Sequence, residues 1–303
     1  MKPSKPKVLV LFSGGLDSRL VVKLLEEQAD VKCIYFNLPF GSGCCNTNCA
    51  LKFSLKEKIK LKIVDVTKGM LLQEYLDILR KPSHGYGTAC NPCIDCHIFM
   101  LRKAKAFADK SKIEIIATGE VLGERPMSQH KKALEIIEHE SGLKGRLLRP
   151  LSAKLLPATT AEQQGKIDRS RLLDIQGRSR KRQIELARKY NIEFPSPGGG
   201  CLLCEPEFAE KLKPLLKGKI KDIDIALLKL GRHFQSSSIV LGKNEQENIE
   251  LEAIHKKYKQ GILLVPSEPG PTAFIKSKKF EQEARKLMQE YTKHKITEIS
   301  LKN

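Results

Sequence analysis

The chain has 303 residues, 41% of them hydrophobic and 29% charged. No apolar run approaches the ~20 residues of a membrane-spanning helix, so the composition excludes a membrane span and leaves enough chain for one large core and a smaller domain. Lys plus Arg number 54 against 35 Asp plus Glu, a formal charge of +19 and a pI near 9.5. That balance favours a large polyanion, nucleic acid first, although a generally lysine-rich proteome would produce the same excess.

The opening MKPSKPK carries no signal-peptide core and leads straight into Val8–Phe12, a β-branched run that predicts a strand buried on both faces; a cytoplasmic protein is expected. The turn SGGLDS follows, and Leu20, Val21, Leu24 and Leu25 then recur at helical spacing. VKCIYF (31–36) predicts a second strand, with Cys33 as a buried small hydrophobe, and the loop NLPFGSGCCNTNCA comes next. A lysine-rich helical segment precedes a third strand, LKIVDV (61–66), and residues 70–79 predict a helix. KPSHGYGTACNP is loop, 98–108 a basic amphipathic helix, IEIIAT (113–118) a fourth strand and GRLLRPL (145–151) a short fifth. From 159 to 190 the chain reads as helical and strongly charged, until FPSPGGGCLLC breaks the pattern. Beyond Leu216 come short strands, a helix and a last long helix over 280–294.

Strands alternating with helices predict a doubly wound α/β fold with a parallel sheet, followed by a smaller α+β domain; the expected division is 1–215 and 216–303. Ligands in such sheets gather at the carboxyl ends of the strands, which puts SGGLDS, the Cys44 loop and TGE (118–120) on one rim.

Gly14 and Gly15 admit positive φ and leave the backbone bare, and the helix that follows aims its unpaired N–H groups at the same spot. Ser13 and Ser18 add hydroxyls, and Asp17 suits either a metal ion or a helix cap. The lysine-bearing loop GxxxxGK[ST] is absent. Nine cysteines without a secretion signal indicate metal binding or sulfur chemistry. Cys93 and Cys96 stand at CxxC spacing before a basic helix whose N-terminus is expected to favour thiolate, and Cys201 follows three glycines. With Cys204 they also spell a structural zinc site, Zn(Cys)4, which stays open at this level.

SGGLDS resembles the signature of the PP-loop pyrophosphatase superfamily, which cleaves ATP between the α- and β-phosphates to adenylate a substrate oxygen. NPCIDC (91–96) resembles the NPxxxC segment of the tRNA thiolation enzymes of that superfamily, and TGEVLGERPMSQ (118–129) looks like the TGExLGQxxSQ segment of 4-thiouridine synthetases. The resemblance implies an adenine-nucleotide α-hydrolase-like fold with ATP and Mg²⁺ at Ser13, Gly14, Gly15, Leu16, Asp17 and Ser18, with Phe36, Thr118 and Gly119 beside them. It implies sulfur transfer by Cys96 and Cys201, and a [4Fe–4S] cluster on Cys93, Cys96 and Cys201 with one iron open, or a persulfide relay without metal. GRHFQSSSIVLGKNEQEN (231–248) resembles the GRHFR and VGRN segments of the NFACT-R module, thought to bind RNA, and implies contacts from Arg232 and Lys243, with His233 and Phe234 either at the RNA or in a core. Arg178, Arg180 and Lys181 are expected to hold tRNA phosphates.

The resulting expectation is an ATP-dependent tRNA sulfurtransferase, served by a cysteine desulfurase or inorganic sulfide, with no membrane partner and a homodimer left open. The rivals are a PP-loop ligase acting on a small molecule, which has no use for these cysteines, and a non-catalytic RNA-binding protein with structural zinc.

Overall fold

The computed structural model describes residues 5–41, 47–195, 200–292 and 296–302. The chain divides into two units, Met1–Cys204 and Glu205–Asn303, so the Pro206–Leu216 helix goes with the second.

The first unit is built on β1 (Lys7–Leu11), β2 (Asp30–Asn37), β3 (Lys60–Asp65), β4 (Ile115–Thr118) and β5 (Leu147–Leu148), in the order β3-β2-β1-β4-β5 and parallel throughout. This is the doubly wound sheet expected. Its helices are α1 (Leu16–Glu26), α2 (Thr47–Lys56), α3 (Gly69–Arg80), α4 (Cys93–Lys110), α5 (Lys131–Glu140), α6 (Thr160–Gln163) and α7 (Lys181–Lys189). Alternation along β1 explains the layers. Val8 and Val10 join Leu20, Val21 and Leu24 of α1 in one core, while Leu9 is fully buried on the other face, where α4 lies against β1 and β4. α7 packs on α1. The strand order reverses between β1 and β4, and the crevice at their carboxyl ends is the ligand position of such sheets.

Two stretches depart from expectation. α4 begins at Cys93 rather than 98, because Pro92 at the N-cap and Asp95, whose carboxylate accepts from the N–H groups of Ser83 and His84, anchor an earlier first turn. Residues 159–190 are not one helix. Gly165 and Gly177 take positive φ (66° and 80°), and Leu173 and Ile175 donate to the Pro150 and Leu151 carbonyls, which holds the middle extended.

The second unit carries β6 (Arg232–Phe234), β7 (Ile239–Leu241), β8 (Ile262–Pro266), β9 (Ala273–Ile275) and β10 (Ile299–Lys302), antiparallel in the order β10-β8-β9-β7-β6. Its helices are α8 (Pro206–Leu216), α9 (Asp222–Leu227), α10 (Glu245–Tyr258) and α11 (Glu281–Glu290). Val240, Leu263 and Phe274 pack on Ile223, Leu227 and Leu251 at one face, and Ile239, Leu264 and Ile275 on Ala284 and Met288 at the other. The last helix stops at Glu290, short of the expected 294, and a strand follows it. No described helix is long and apolar enough to cross a membrane.

Candidate active site

β1 ends at Leu11 and residues 12–15 turn the chain into α1. Gly14 takes φ +80°, open to glycine without strain. The Ser18 hydroxyl accepts from the Gly14 N–H at 3.1 Å and donates to the Gly15 carbonyl at 2.9 Å, with Ser13 Oγ 3.3 Å away. Gly15 is the N-cap of α1 and provides no side-chain acceptor, so the first-turn N–H groups are left for an anion. The end of β4 closes on this turn: a Cβ on Gly119 would stand 2.9 Å from Ser18 N, a distance only glycine allows. The Leu16 side chain is core at 2% exposure, Phe36 is buried within β2, and the buried Thr118 hydroxyl is spent on Glu120 Oε2 at 2.9 Å.

Asp17 does not cap α1. Its Oδ1 is buried with no hydrogen-bond partner, and its Oδ2 lies 3.5 Å from Arg180. Burial raises its pKa, against the lowering charge of Arg180. Glu124, whose carboxyl is also raised by burial and by the neighbouring Asp17, stands 3.9 Å from the other side of Arg180. Carboxylate oxygens with an unpaired lone pair fit a hard divalent cation such as the Mg²⁺ that accompanies ATP. Arg180 therefore turns inward to the nucleotide turn, whereas Arg178 and Lys181, expected beside it on an RNA surface, are exposed.

The thiols come together from two distant segments. The Cys90 N–H donates to the Leu203 carbonyl at 3.0 Å, and Cys201 Sγ donates to the Phe40 carbonyl at 3.2 Å, just past the end of β2. Cys93 Sγ accepts from Asn91 Nδ2 at 3.1 Å, and Cys96 Sγ lies 3.9 Å from the Tyr75 hydroxyl. Burial, with Cys201 and Cys93 close by, pushes the Cys96 thiol up to about 12; burial and the neighbouring Cys204, Cys93 and Cys90 do the same to Cys201, against a backbone hydrogen bond from Leu203. This corrects the expectation that a helix N-terminus favours thiolate here. It also bears on metal. Each thiol faces its own partner, and among the described residues no three His, Cys, Asp or Glu side chains form a group able to hold a metal ion. Neither the [4Fe–4S] ligand set nor the zinc alternative gains support from the described residues. Cys44 and Cys45 lie outside the described residues, as do Gly198 and Gly199; Cys49 Sγ accepts from Arg19, which also donates to the Gly14 carbonyl.

One link sequence reasoning missed joins the thiols to the turn. His97, next to Cys96, meets Glu120 Oε1 at 2.9 Å, and Glu120 Oε2 accepts from Arg149 Nε at 2.9 Å. Because Gly119 touches Ser18, the first turns of α4 and the SGGLDS turn share one rim. The only hint in the sequence was the Glu of TGE.

In the second unit His233 is held by Ser237 Oγ (2.9 Å) and the Leu227 and Leu230 carbonyls, and burial lowers its pKa to about 4. It is a structural residue, not a phosphate contact. Arg232 stacks on the Tyr291 ring at 4.7 Å, with Phe234 5.8 Å from the same ring, and Lys243 is exposed.

The family model described as "Thiamine biosynthesis protein (ThiI)" matches residues 4–155. No curated protein matches the chain. Among solved structures, a predicted subunit of a tRNA methyltransferase from Methanocaldococcus jannaschii is 22% identical over 48% of this chain and 67% of its own, with a TM-score of 0.33, too low to bear on the fold. The ThiI match takes in β1 through β5, the SGGLDS turn, the CxxC pair and TGE. The chain belongs to the ThiI family, and its first unit is a PP-loop domain of an ATP-using enzyme with thiolation-type chemistry.

Proposed function

We propose that the chain thiolates tRNA at the expense of ATP, with cysteine persulfide as the immediate sulfur donor. The observation that carries this reading is the meeting of the 90–96 and 201–204 segments on the rim that also bears the SGGLDS turn. ATP lies along residues 13–18, its phosphates against the open N–H groups of α1. Asp17, with Glu124, would hold Mg²⁺, which neutralises phosphate charge when bound. A uridine carbonyl oxygen attacks the α-phosphorus, the bond to the bridging oxygen breaks, and pyrophosphate leaves. The O-adenylated carbon is then attacked by the terminal sulfur of a Cys96 or Cys201 persulfide, and AMP departs. The second thiol attacks the inner sulfur of the Cys–S–S–carbon link, which leaves sulfur on the base and a Cys96–Cys201 disulfide.

The second unit is proposed as an NFACT-R-like RNA-binding module, with the Arg232–Tyr291 stack and Lys243 at the RNA. Arg178 and Lys181 remain candidates for tRNA phosphates.

The test is mass spectrometry of nucleosides from tRNA incubated with the protein, ATP, Mg²⁺ and a persulfide-charged cysteine desulfurase. Wild type is expected to yield a thiouridine and release pyrophosphate. Cys96→Ala and Cys201→Ala should each abolish the thionucleoside and leave ATP binding unchanged. Pyrophosphate-free, unmodified tRNA from the wild-type protein would refute the proposal.

A further inference from the structure

Arg180 sits at the N-cap of α7, the helix that packs on α1, so its backbone is fixed relative to the nucleotide turn. Its guanidinium makes only long contacts to the carboxylates around it. It stands 3.5 Å from Asp17 Oδ2 and 3.9 Å from Glu124 Oε1, longer than the ~2.7–2.9 Å of a made charge-assisted hydrogen bond, and its Nε is buried with no acceptor. Gln183, one turn along α7 and fully buried, donates to Glu124 Oε2 at 3.3 Å but leaves its own Oε1 without a partner. Asp17 Oδ1 is the third such atom. Three buried polar atoms from three side chains, all unpaired and all beside the SGGLDS turn, mark the place of a polar ligand that satisfies both a donor and acceptors.

Charge identifies the ligand. The turn itself, residues 13–18, contains no lysine to meet a polyphosphate; among GRSRKRQ only Arg180 turns in, and the Arg125 charge also acts on Asp17 and Glu124. A planar guanidinium with a free edge matches two phosphate oxygens at once. We propose that Arg180 is the cation that receives the β- and γ-phosphates of ATP, resting between Asp17 and Glu124 until the nucleotide arrives, with Gln183 as the positioning residue that holds Glu124 in place. The proposal rests on the ATP-using reading of the first unit and not on the identity of the sulfur acceptor. It takes one residue of the basic segment out of the RNA surface, and it gives the pyrophosphate leaving group a partner that AMP lacks.

Calorimetric titration of the full chain with ATP and, separately, AMP in Mg²⁺ tests it. Arg180→Ala should weaken ATP binding at least tenfold and change AMP binding less than twofold; Arg180→Lys, which keeps the charge and loses the fork, should fall between; Arg178→Ala should match wild type for both. Equal ATP affinity in Arg180→Ala and wild type overturns the assignment, as does an equal loss for ATP and AMP. Should Arg180→Ala not fold, the same ATP-against-AMP comparison on Arg180→Lys decides. A wild-type chain that binds neither nucleotide overturns the ATP-using reading and this assignment with it, whereas tight ATP binding indifferent to Arg180 overturns the assignment alone.

Discussion

Glu120 is 4% exposed and still ionised, because the Arg149 guanidinium and the His97 ring outweigh the burial that would raise its carboxyl and hold it at about 2. Arg149 is as deeply buried and also reaches Glu138 at 3.0 Å, so removing the Glu120 charge leaves a cation in the interior without its main partner. Glu120→Gln is expected to cost about 3–5 kcal/mol of stability at pH 7 by urea unfolding. The folded carboxyl titrates lower than the unfolded one, near 4.5, so its contribution is complete above pH 4.5 and is lost as pH falls toward 2. The gap between wild type and variant should close over that window; a gap independent of pH would argue against the ion pair. The thiols show the opposite balance. A helix N-terminus is worth ~0.3–1 kcal/mol to a negative charge, less than one pKa unit, and burial that carries Cys96 to about 12 wins easily. Their grouping was legible from CxxC spacing and resemblance; their ionisation was not, since nothing local in the sequence records how many apolar neighbours enclose a sulfur.

At the scale of elements, the βαβ rhythm was readable because parallel strands buried on both faces are continuous apolar runs, and VLVLF, VKCIYF and IEIIAT lie on or within a residue or two of β1, β2 and β4. The segment over 159–190 was misread for a physical reason. Its charged composition is compatible with helix, and what breaks it is pairing with residues 150–151 and 122, partners far away in sequence. The inward turn of Arg180 was hidden in the same way, since in sequence it is one cation among several. At the end of α10 the chain stops in an unfavourable way: Lys259 takes φ +49° and ψ 44° to donate its N–H to the His255 carbonyl at 2.8 Å. A left-handed residue with a Cβ costs roughly 1–2 kcal/mol, so Lys259→Gly should stabilise the second unit by about 1 kcal/mol. A thermal melt that moves down instead would contradict that reading of the cap.

For the molecule as a whole, the excess of cations sets how it would meet its substrate. If tRNA is the partner, binding is expected to release counterions, with log K falling linearly against log salt; engagement of about six phosphates would lose about a thousandfold between 50 and 200 mM. Filter binding across that range checks it, and a flat profile would assign the +19 charge to something other than RNA. The joining of Cys90 to Leu203 across 113 positions has a further consequence, one of timing. During synthesis residues 13–18 emerge early, but the sulfur-handling half cannot close until the ribosome has released residue 204. Until then Cys93 and Cys96 wait on a nascent chain without Cys201, their distant neighbour in the finished fold.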